Sequence, residues 1–248
     1  MTNKIKILIK KVSYLFIIVL LIAIILLLIL KYNVEGEKNM PFELSSIIAV
    51  STAEGYQEKQ DEENNWNIEV YQNNDIFLNI QRNKNNKQEE YIKSITIENI
   101  KVAEKPEIGK IFFYRPAKND NGNNSYMYNT EYEIYSNITY KGDSESDIEN
   151  LKISNQGGTV TFRVTNKTDK RYISNDKELT HDGKLLNIIN VSTEQIKTKI
   201  SFDILITLSS DVSYRANIIL DLPVGNIAKE GVSNINKTNM KDIIFKRE

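Results

Sequence analysis

The chain has 248 residues, of which 40% are hydrophobic and 26% are charged, and its formal net charge is −1. This composition is typical of a globular protein and excludes a basic nucleic-acid-binding protein and a wholly disordered chain. The chain contains no cysteine, which excludes disulfides, thiol catalysis and cysteine-based metal sites.

The first predicted element is a membrane-spanning helix over residues 12–30 (VSYLFIIVLLIAIILLLIL), which carry no charge. At 1.5 Å rise per residue this stretch is about 28 Å long, close to the roughly 30 Å hydrocarbon core of a bilayer. A buried helix of a soluble protein would show a polar face, and this stretch shows none. The sequence therefore predicts a transmembrane signal-anchor helix over residues 12–31 and a lipid bilayer as a partner.

Charges on either side of this helix indicate its orientation. The tail, residues 1–11, carries four lysines and no acidic residue, whereas Lys31, Glu35, Glu37 and Lys38 follow the span. The positive-inside rule then predicts a cytoplasmic N-terminus and an extracytoplasmic C-terminal domain in the cell membrane. A cleaved signal peptide is the alternative, but its apolar region would be shorter and would end in small residues. Here the run ends Leu-Ile-Leu-Lys, which favours an uncleaved anchor.

Residues 32–63 are expected to form a juxtamembrane tether. Within it, residues 40–53 (MPFELSSIIAVSTA) are apolar enough for a short strand, and residues 56–65 (YQEKQDEENN) are typical of an exposed loop.

Strands are predicted in the first half of the remaining chain. Apolar residues alternate over 66–70 and again over 76–80, and the polar residues 72–75 between them predict a hairpin turn. Further on, residues 95 and 97 lie on the opposite face to 100 and 102 by strict alternation, and a β-bulge at Asn99 would restore the register. Residues 111–114 and 132–140 are further predicted strands.

The clearest pattern is the period-2 alternation over residues 196–208, which is hard to obtain in a helix. Residues 209–212 predict a turn, and residues 214–222 alternate again until Pro223. We expect this long hairpin at the centre of a sheet, and a last short strand over 243–245 at an edge. Six side chains are expected to be buried together across it: Ile200, Phe202, Ile204, Ile206, Ile218 and Leu220.

This succession of strands predicts an all-β fold, with an antiparallel β-sandwich over residues 64–248 that is jelly-roll-like or Ig-like. One large sandwich is favoured over two Ig-like domains, because no linker rich in proline and glycine divides the chain. The loop over residues 141–149 is the one plausible boundary.

The sequence contains no catalytic constellation that we can identify. His181 is the single histidine and stands in an Asp-Gly turn signal, and no G-x-S-x-G, P-loop or dinucleotide motif is present. The stretch Asn119–Gly122 resembles a calcium loop, but the ligand positions at its two ends, Ala117 and Tyr128, fail. We therefore expect no cofactor, no metal and no enzyme activity, with a hydrolase that uses paired carboxylates as the alternative.

Tyrosines are concentrated in the middle of the chain. A tyrosine-rich face can bind protein or carbohydrate, because the ring offers apolar area with a polar tip. The candidate face consists of Tyr114, Tyr126, Tyr128, Tyr132, Tyr135 and Tyr140. Expected partners are an envelope protein or cell-wall carbohydrate, and nucleic acid is not expected.

Two stretches, EGEKNMPFEL (35–44) and STAEG (51–55), together with the layout of an anchor followed by strands, carry a family resemblance. The chain resembles uncharacterised single-pass, membrane-anchored envelope proteins of low-GC Gram-positive bacteria. This resemblance implies a location and no mechanism. The expected function is thus a non-catalytic binding or scaffold module of the cell envelope.

Overall fold

The computed structural model describes residues 3–57, 65–118, 124–134, 137–142, 151–173 and 183–248. Tyr135, His181 and most of the predicted loops at 56–65, 118–124 and 141–149 lie outside these residues. The helices are α1 (Asn3–Glu35), α2 (Leu185–Ile188) and α3 (Ile227–Glu230), with a 3₁₀ turn at Glu194–Ile196. The strands are β1 (Phe42–Gln57), β2 (Asn65–Arg82), β3 (Ile92–Glu104), β4 (Lys110–Lys118), β5 (Asn124–Glu133), β6 (Ile138–Gly142), β7 (Leu151–Ile153), β8 (Gly157–Ile173), β9 (Thr198–Leu208), β10 (Ser213–Leu222), β11 (Val232–Lys237) and β12 (Lys246–Arg247).

The N-terminal helix α1 is long and apolar enough to cross a membrane, and its large apolar side chains from Ile9 to Val34 are exposed rather than covered by the domain. The rest of the described chain is mostly β and forms two six-stranded sheets. The first sheet has the order β11-β1-β2-β8-β4-β5 and the second has the order β12-β10-β9-β3-β6-β7. All strand pairs are antiparallel except β6 with β7. Each sheet combines strands that precede the loop at 141–149 with strands that follow it.

The two sheets share one main hydrophobic core. Phe162 of β8 in the first sheet meets Phe202 of β9 in the second edge to face, with ring centroids 5.0 Å apart. A second apolar cluster, between β2 and the short helices α2 and α3, includes Trp66, Leu185 and Ile227. The sheets thus pack face to face, and their jelly-roll-like or Ig-like type stays a prediction.

The predicted long hairpin is confirmed. Strands β9 and β10 pair in the register Phe202↔Ile218 and Ile200↔Leu220. Five of the six expected core residues are buried, and Leu220 is half-buried against the same core. The bulge predicted at Asn99 is also present, because Asn99 has φ 54° and the β3–β9 register shifts between Glu98 and Lys101.

The predicted hairpin at residues 66–80 is wrong. β2 runs straight through residues 72–75, because these polar side chains have partners inside the structure instead of forming a turn. Asn74 accepts a hydrogen bond from Ser51 Oγ at 2.7 Å and donates one to the carbonyl of Val164 at 3.1 Å, while Gln72 donates to Asn74 Oδ1 at 2.9 Å. This buried polar layer satisfies its own hydrogen bonds, so a continuous strand is stable.

Two expectations near the ends of the chain also differ from the structure. A tether was expected over residues 32–63 with a short strand within residues 40–53, whereas the strand there, β1 (Phe42–Gln57), is long and lies inside the first sheet. The last short strand is β12, three residues after the predicted start at 243, and it pairs with β10 at the edge of the second sheet.

Candidate functional site

The outward side of the first sheet carries a group of aromatic and charged side chains. Phe162 and Val164 of β8 point into the core, so Arg163 between them points outward. On β4, Tyr114 lies directly opposite Arg163 and therefore shares its face. We call this surface the outer face and define it by Glu69, Tyr71, Asp75, Phe112, Tyr114, Tyr128, Arg163 and Lys167.

Arg163 is the centre of the outer face. Its Nε and Nη2 donate to the two carboxylate oxygens of Asp75 at 2.6 and 2.9 Å, and its guanidinium lies 4.5 Å from the centroid of the Tyr128 ring. Burial alone would lower the pKa of Arg163, but the hydrogen bonds to Asp75 outweigh it and the pKa is raised. Bidentate and cation–π contacts together hold the guanidinium in one orientation.

A second charged group lies beside it. Lys167 forms an ion pair with Glu69, and the Tyr71 hydroxyl donates to the same carboxylate at 2.8 Å. The hydrogen bond from Lys167 lowers the pKa of Glu69, and the hydrogen bond to Glu69 raises the pKa of Lys167. Both side chains are therefore charged near neutral pH, which does not suit either of them for proton transfer.

A shallow depression of about 460 Å³ opens on this surface, lined by Glu69, Gly109, Lys110, Phe112, Lys167, Thr168 and Asp169. A neighbouring depression of about 360 Å³ shares Glu69 and Asp169 with it. The Phe112 ring lies 6.4 Å from that of Tyr114 with an angle of 13° between their planes. An aromatic ring beside fixed charges in an open depression suits binding of a polar ligand better than enclosed chemistry.

The predicted tyrosine face is only partly assembled. Tyr114 and Tyr128 come together around Arg163, although Tyr114 is only 7% exposed. Tyr140 is fully buried in the other sheet and cannot belong to an exposed face, because its hydroxyl bonds the backbone of Thr161 across the core. Tyr126 and Tyr132 lie in β5.

Sequence reasoning missed most of the outer face. Phe112 was placed in a predicted strand without a role, and Arg163 and Lys167 were not singled out. Glu69, Tyr71 and Asp75 were assigned to the misplaced hairpin. The available signal was the alternation of Arg163, Thr165 and Lys167 with core residues of β8. The partners on β2 and β4 come from pairing between distant segments, which no local pattern indicates.

One pair of carboxylates is brought together on the outward side of the second sheet. Glu98 and Asp203 lie opposite each other in register, and both contact Nη1 of Arg215. Burial would raise the pKa of Asp203, but hydrogen bonds from Asn217 and Asn99 and the charge of Arg215 lower it. The two carboxylates therefore form part of an ion-pair network, and the lowered pKa of Asp203 does not suit it as a general acid.

No metal centre was found within the part of the chain that the structure describes, where no three His, Cys, Asp or Glu side chains are grouped to hold an ion.

The lowered pKa of Asp203 predicts how the stability of the fold depends on pH. Because its pKa is lower in the folded than in the unfolded chain, it stabilises the fold above the unfolded value of about 3.9. This contribution is lost as the pH falls through the folded pKa. We expect Asp203→Asn to reduce the loss of stability between neutral and acidic pH, measured by urea denaturation across that range. Asn85→Ser, at an exposed residue without a titratable group, is the control and should leave the pH profile unchanged. An unchanged profile for Asp203→Asn as well would contradict the prediction.

No family model, curated protein or solved structure matches the chain.

Proposed function

We propose that this protein is a single-pass, membrane-anchored β-sandwich protein of the cell envelope, and that its extracytoplasmic domain is a non-catalytic binding or scaffold module. The observation that carries the proposal is α1, an uncovered apolar helix that leads directly into a folded β domain. The four lysines before the span, against Lys31 and Lys38 shortly after it, support an extracytoplasmic domain. The resemblance to envelope proteins of low-GC Gram-positive bacteria agrees with this location.

A binding role is supported by the outer face. It presents Phe112 and fixed charges in an open depression, and the shifted pKa values of Glu69 and Lys167 favour their charged forms. The ion pairs that Glu98 and Asp203 form with Arg215 speak against a hydrolase that uses these two carboxylates. The ligand class that fits is cell-wall carbohydrate, because sugars combine hydroxyl groups with an apolar ring face that packs on an aromatic ring. An envelope protein is the other expected partner.

The location is tested by protease treatment of intact cells that produce the full chain. We expect the segment beyond Lys31 to be digested while the N-terminal tail stays protected. Release of a soluble fragment that begins near Lys31 without added protease would instead indicate a cleaved signal, and protection of the whole domain would reverse the proposed orientation.

Binding is tested by titrating the full chain in detergent micelles with soluble cell-wall polysaccharide fragments. Phe112→Ala should weaken binding about tenfold, as expected for an aromatic contact residue. Ile219→Ala is the matched control, because Ile219 is a large apolar residue that is 57% exposed on the second sheet. Equal affinities of the two variants, or no binding by the unchanged protein, would contradict a carbohydrate site at the outer face.

A further inference from the structure

The C-terminal end of α1 is bound by the C-terminal segment of the chain. Gly36 follows the helix in a left-handed conformation (φ 66°), and its N–H donates to the carbonyl of Tyr32 at 2.8 Å. The next N–H, that of Glu37, donates to the carbonyl of Phe245 at 2.7 Å instead of returning to the helix. We call residues 244–247 the C-terminal clasp.

Side chains strengthen the same junction. The Tyr32 hydroxyl accepts a hydrogen bond from the N–H of Arg247 at 2.9 Å, and Lys246 Nζ donates to Asn33 Oδ1 at 3.3 Å. A Cβ atom at Gly36 would lie 2.4 Å from the Phe245 carbonyl oxygen, so the backbones are in direct contact. The end of α1 therefore packs closely against the clasp.

The clasp in turn belongs to the folded domain. Phe245 is buried in the main core, and Arg247 pairs with Tyr214 of β10. On the other side of the junction, only six residues separate the end of α1 at Glu35 from the start of β1 at Phe42. Helix, clasp and first sheet are thus joined by contacts on both sides.

The length of α1 beyond its apolar run indicates how far the junction lies from the hydrocarbon core of a bilayer. The apolar run ends at Leu30, and residues 31–35 add about 7.5 Å of helix at 1.5 Å per residue. The headgroup layer on one side of a bilayer is about 5–7 Å thick, half the difference between its total and hydrocarbon thickness. Gly36 would therefore emerge at the outer edge of the headgroups, with the domain beginning at that level.

The loop between β2 and β3 is held at the same level. Asn83 N–H donates to the carbonyl of Pro41 at 2.8 Å, and the Asn86 side chain donates to the carbonyl of Asn39 at 2.6 Å. Lys84 and Lys87 of this loop are exposed, and Glu35 at the end of α1 is paired with Lys38. Exposed lysines at this height suit contact with lipid phosphates.

We propose that α1 and the domain form one rigid unit, and that residues 36–41 and the loop at 83–88 rest on the lipid headgroups. This inference depends on the proposed membrane anchor. The second apolar cluster, which includes Ala53, then lies far from the junction. β1 begins beside the junction at Phe42 and extends about 36 Å to Ala53 at 3.3 Å per residue. A partner would then meet the domain at a fixed orientation relative to the membrane.

The absence of cysteine allows a direct test, since any single introduced cysteine can be labelled. A fluorophore is attached to the full chain at Ile22→Cys in α1, Asn85→Cys in the loop or Asn187→Cys in α2, in vesicles of phosphatidylcholine and phosphatidylglycerol. Nitroxide lipids then quench either at acyl-chain or at headgroup depth. We expect acyl-chain quenching at position 22, headgroup quenching at position 85 and no quenching at position 187.

The outcomes separate the two proposals. Absence of acyl-chain quenching at position 22 would contradict the proposed membrane anchor and, with it, the inference. Quenching at position 22 without headgroup quenching at position 85 would overturn the inference alone, as would equal headgroup quenching at positions 85 and 187.

Opening the clasp tests the rigid junction itself. Gly36→Val should abolish the headgroup quenching at position 85, because its side chain collides with Ile244 and Phe245. Gly183→Val is the matched control, since Gly183 also has a positive φ (89°) but no atom within 4 Å of an added Cβ. Retained quenching in Gly36→Val, or an equal loss in both variants, would overturn the proposed role of the clasp.

Discussion

Replacing Phe202 by alanine is expected to destabilise the domain by about 3–5 kcal/mol, the usual cost of removing a large side chain from a packed core. Phe202 has no exposed surface, and its ring meets Phe162 of the opposite sheet edge to face at 5.0 Å. The substitution removes the contact between the sheets as well as buried apolar area. Urea denaturation of the full chain in detergent micelles, followed by the fluorescence of Trp66, measures the change in the free energy of unfolding.

Lys199→Ala is the control on the same strand. Lys199 points outward and forms ion pairs with Glu104 and Asp221 at the surface. Ion pairs of this kind contribute little, so we expect a change within about 0.5 kcal/mol. Similar unfolding midpoints for the two variants would mean that the inward and outward sides of β9 are exchanged, because a one-residue shift in register moves every side chain to the other face.

The β9–β10 hairpin was predictable because its signal is local. Apolar residues occupy every second position from Ile200 to Leu208 and from Tyr214 to Leu222, and the turn between the strands is short. The pattern therefore specifies the faces, and the hairpin specifies the pairing. The same reasoning located the bulge at Asn99, where the break in alternation falls within one strand.

β1 was predicted only as a short strand within a tether, because a bulge hides its pattern. Phe42 and Leu44 point inward, but the register with β2 shifts between Leu44 and Ser46, after which Ile47 and Ala49 point inward. The inward-facing positions are thus even-numbered before the bulge and odd-numbered after it. Read as one strand without a bulge, the segment has no consistent inward face, and an inner strand of a sheet is therefore not predicted there.

β2 was not predicted as one strand, and the reason differs from that for β1. Its inward positions follow one another without a bulge, but two of them are polar. Gln72 and Asn74 occupy the inward face between Val70 and Ile76. Their cost of burial is offset by hydrogen bonds to residues far away in the sequence, among them Ser51 and the carbonyl of Val164. Composition alone favours a turn at such residues, and only the tertiary partners reverse that preference.

Tyr140→Phe is expected to destabilise the domain although it removes a single oxygen atom. The pairing of β4 with β8 ends at Tyr114↔Arg163, which leaves Thr161 of β8 beyond the last paired position. The Tyr140 hydroxyl reaches across from the second sheet, donates to the Thr161 carbonyl at 2.5 Å and accepts from the Thr161 N–H at 3.0 Å. One side chain thus supplies both hydrogen bonds that a neighbouring strand would have made.

Without this hydroxyl, both backbone groups of Thr161 would be buried without a partner, at a cost of about 1–3 kcal/mol each. We expect a lower unfolding midpoint in urea and faster hydrogen exchange at the Thr161 amide, because that amide loses its acceptor. Tyr91→Phe is the matched control, since Tyr91 is 46% exposed and water can replace its hydrogen bonds. If both variants unfold at the same urea concentration and the Thr161 amide exchanges as before, the Tyr140 hydroxyl does not hold the two sheets together at this point.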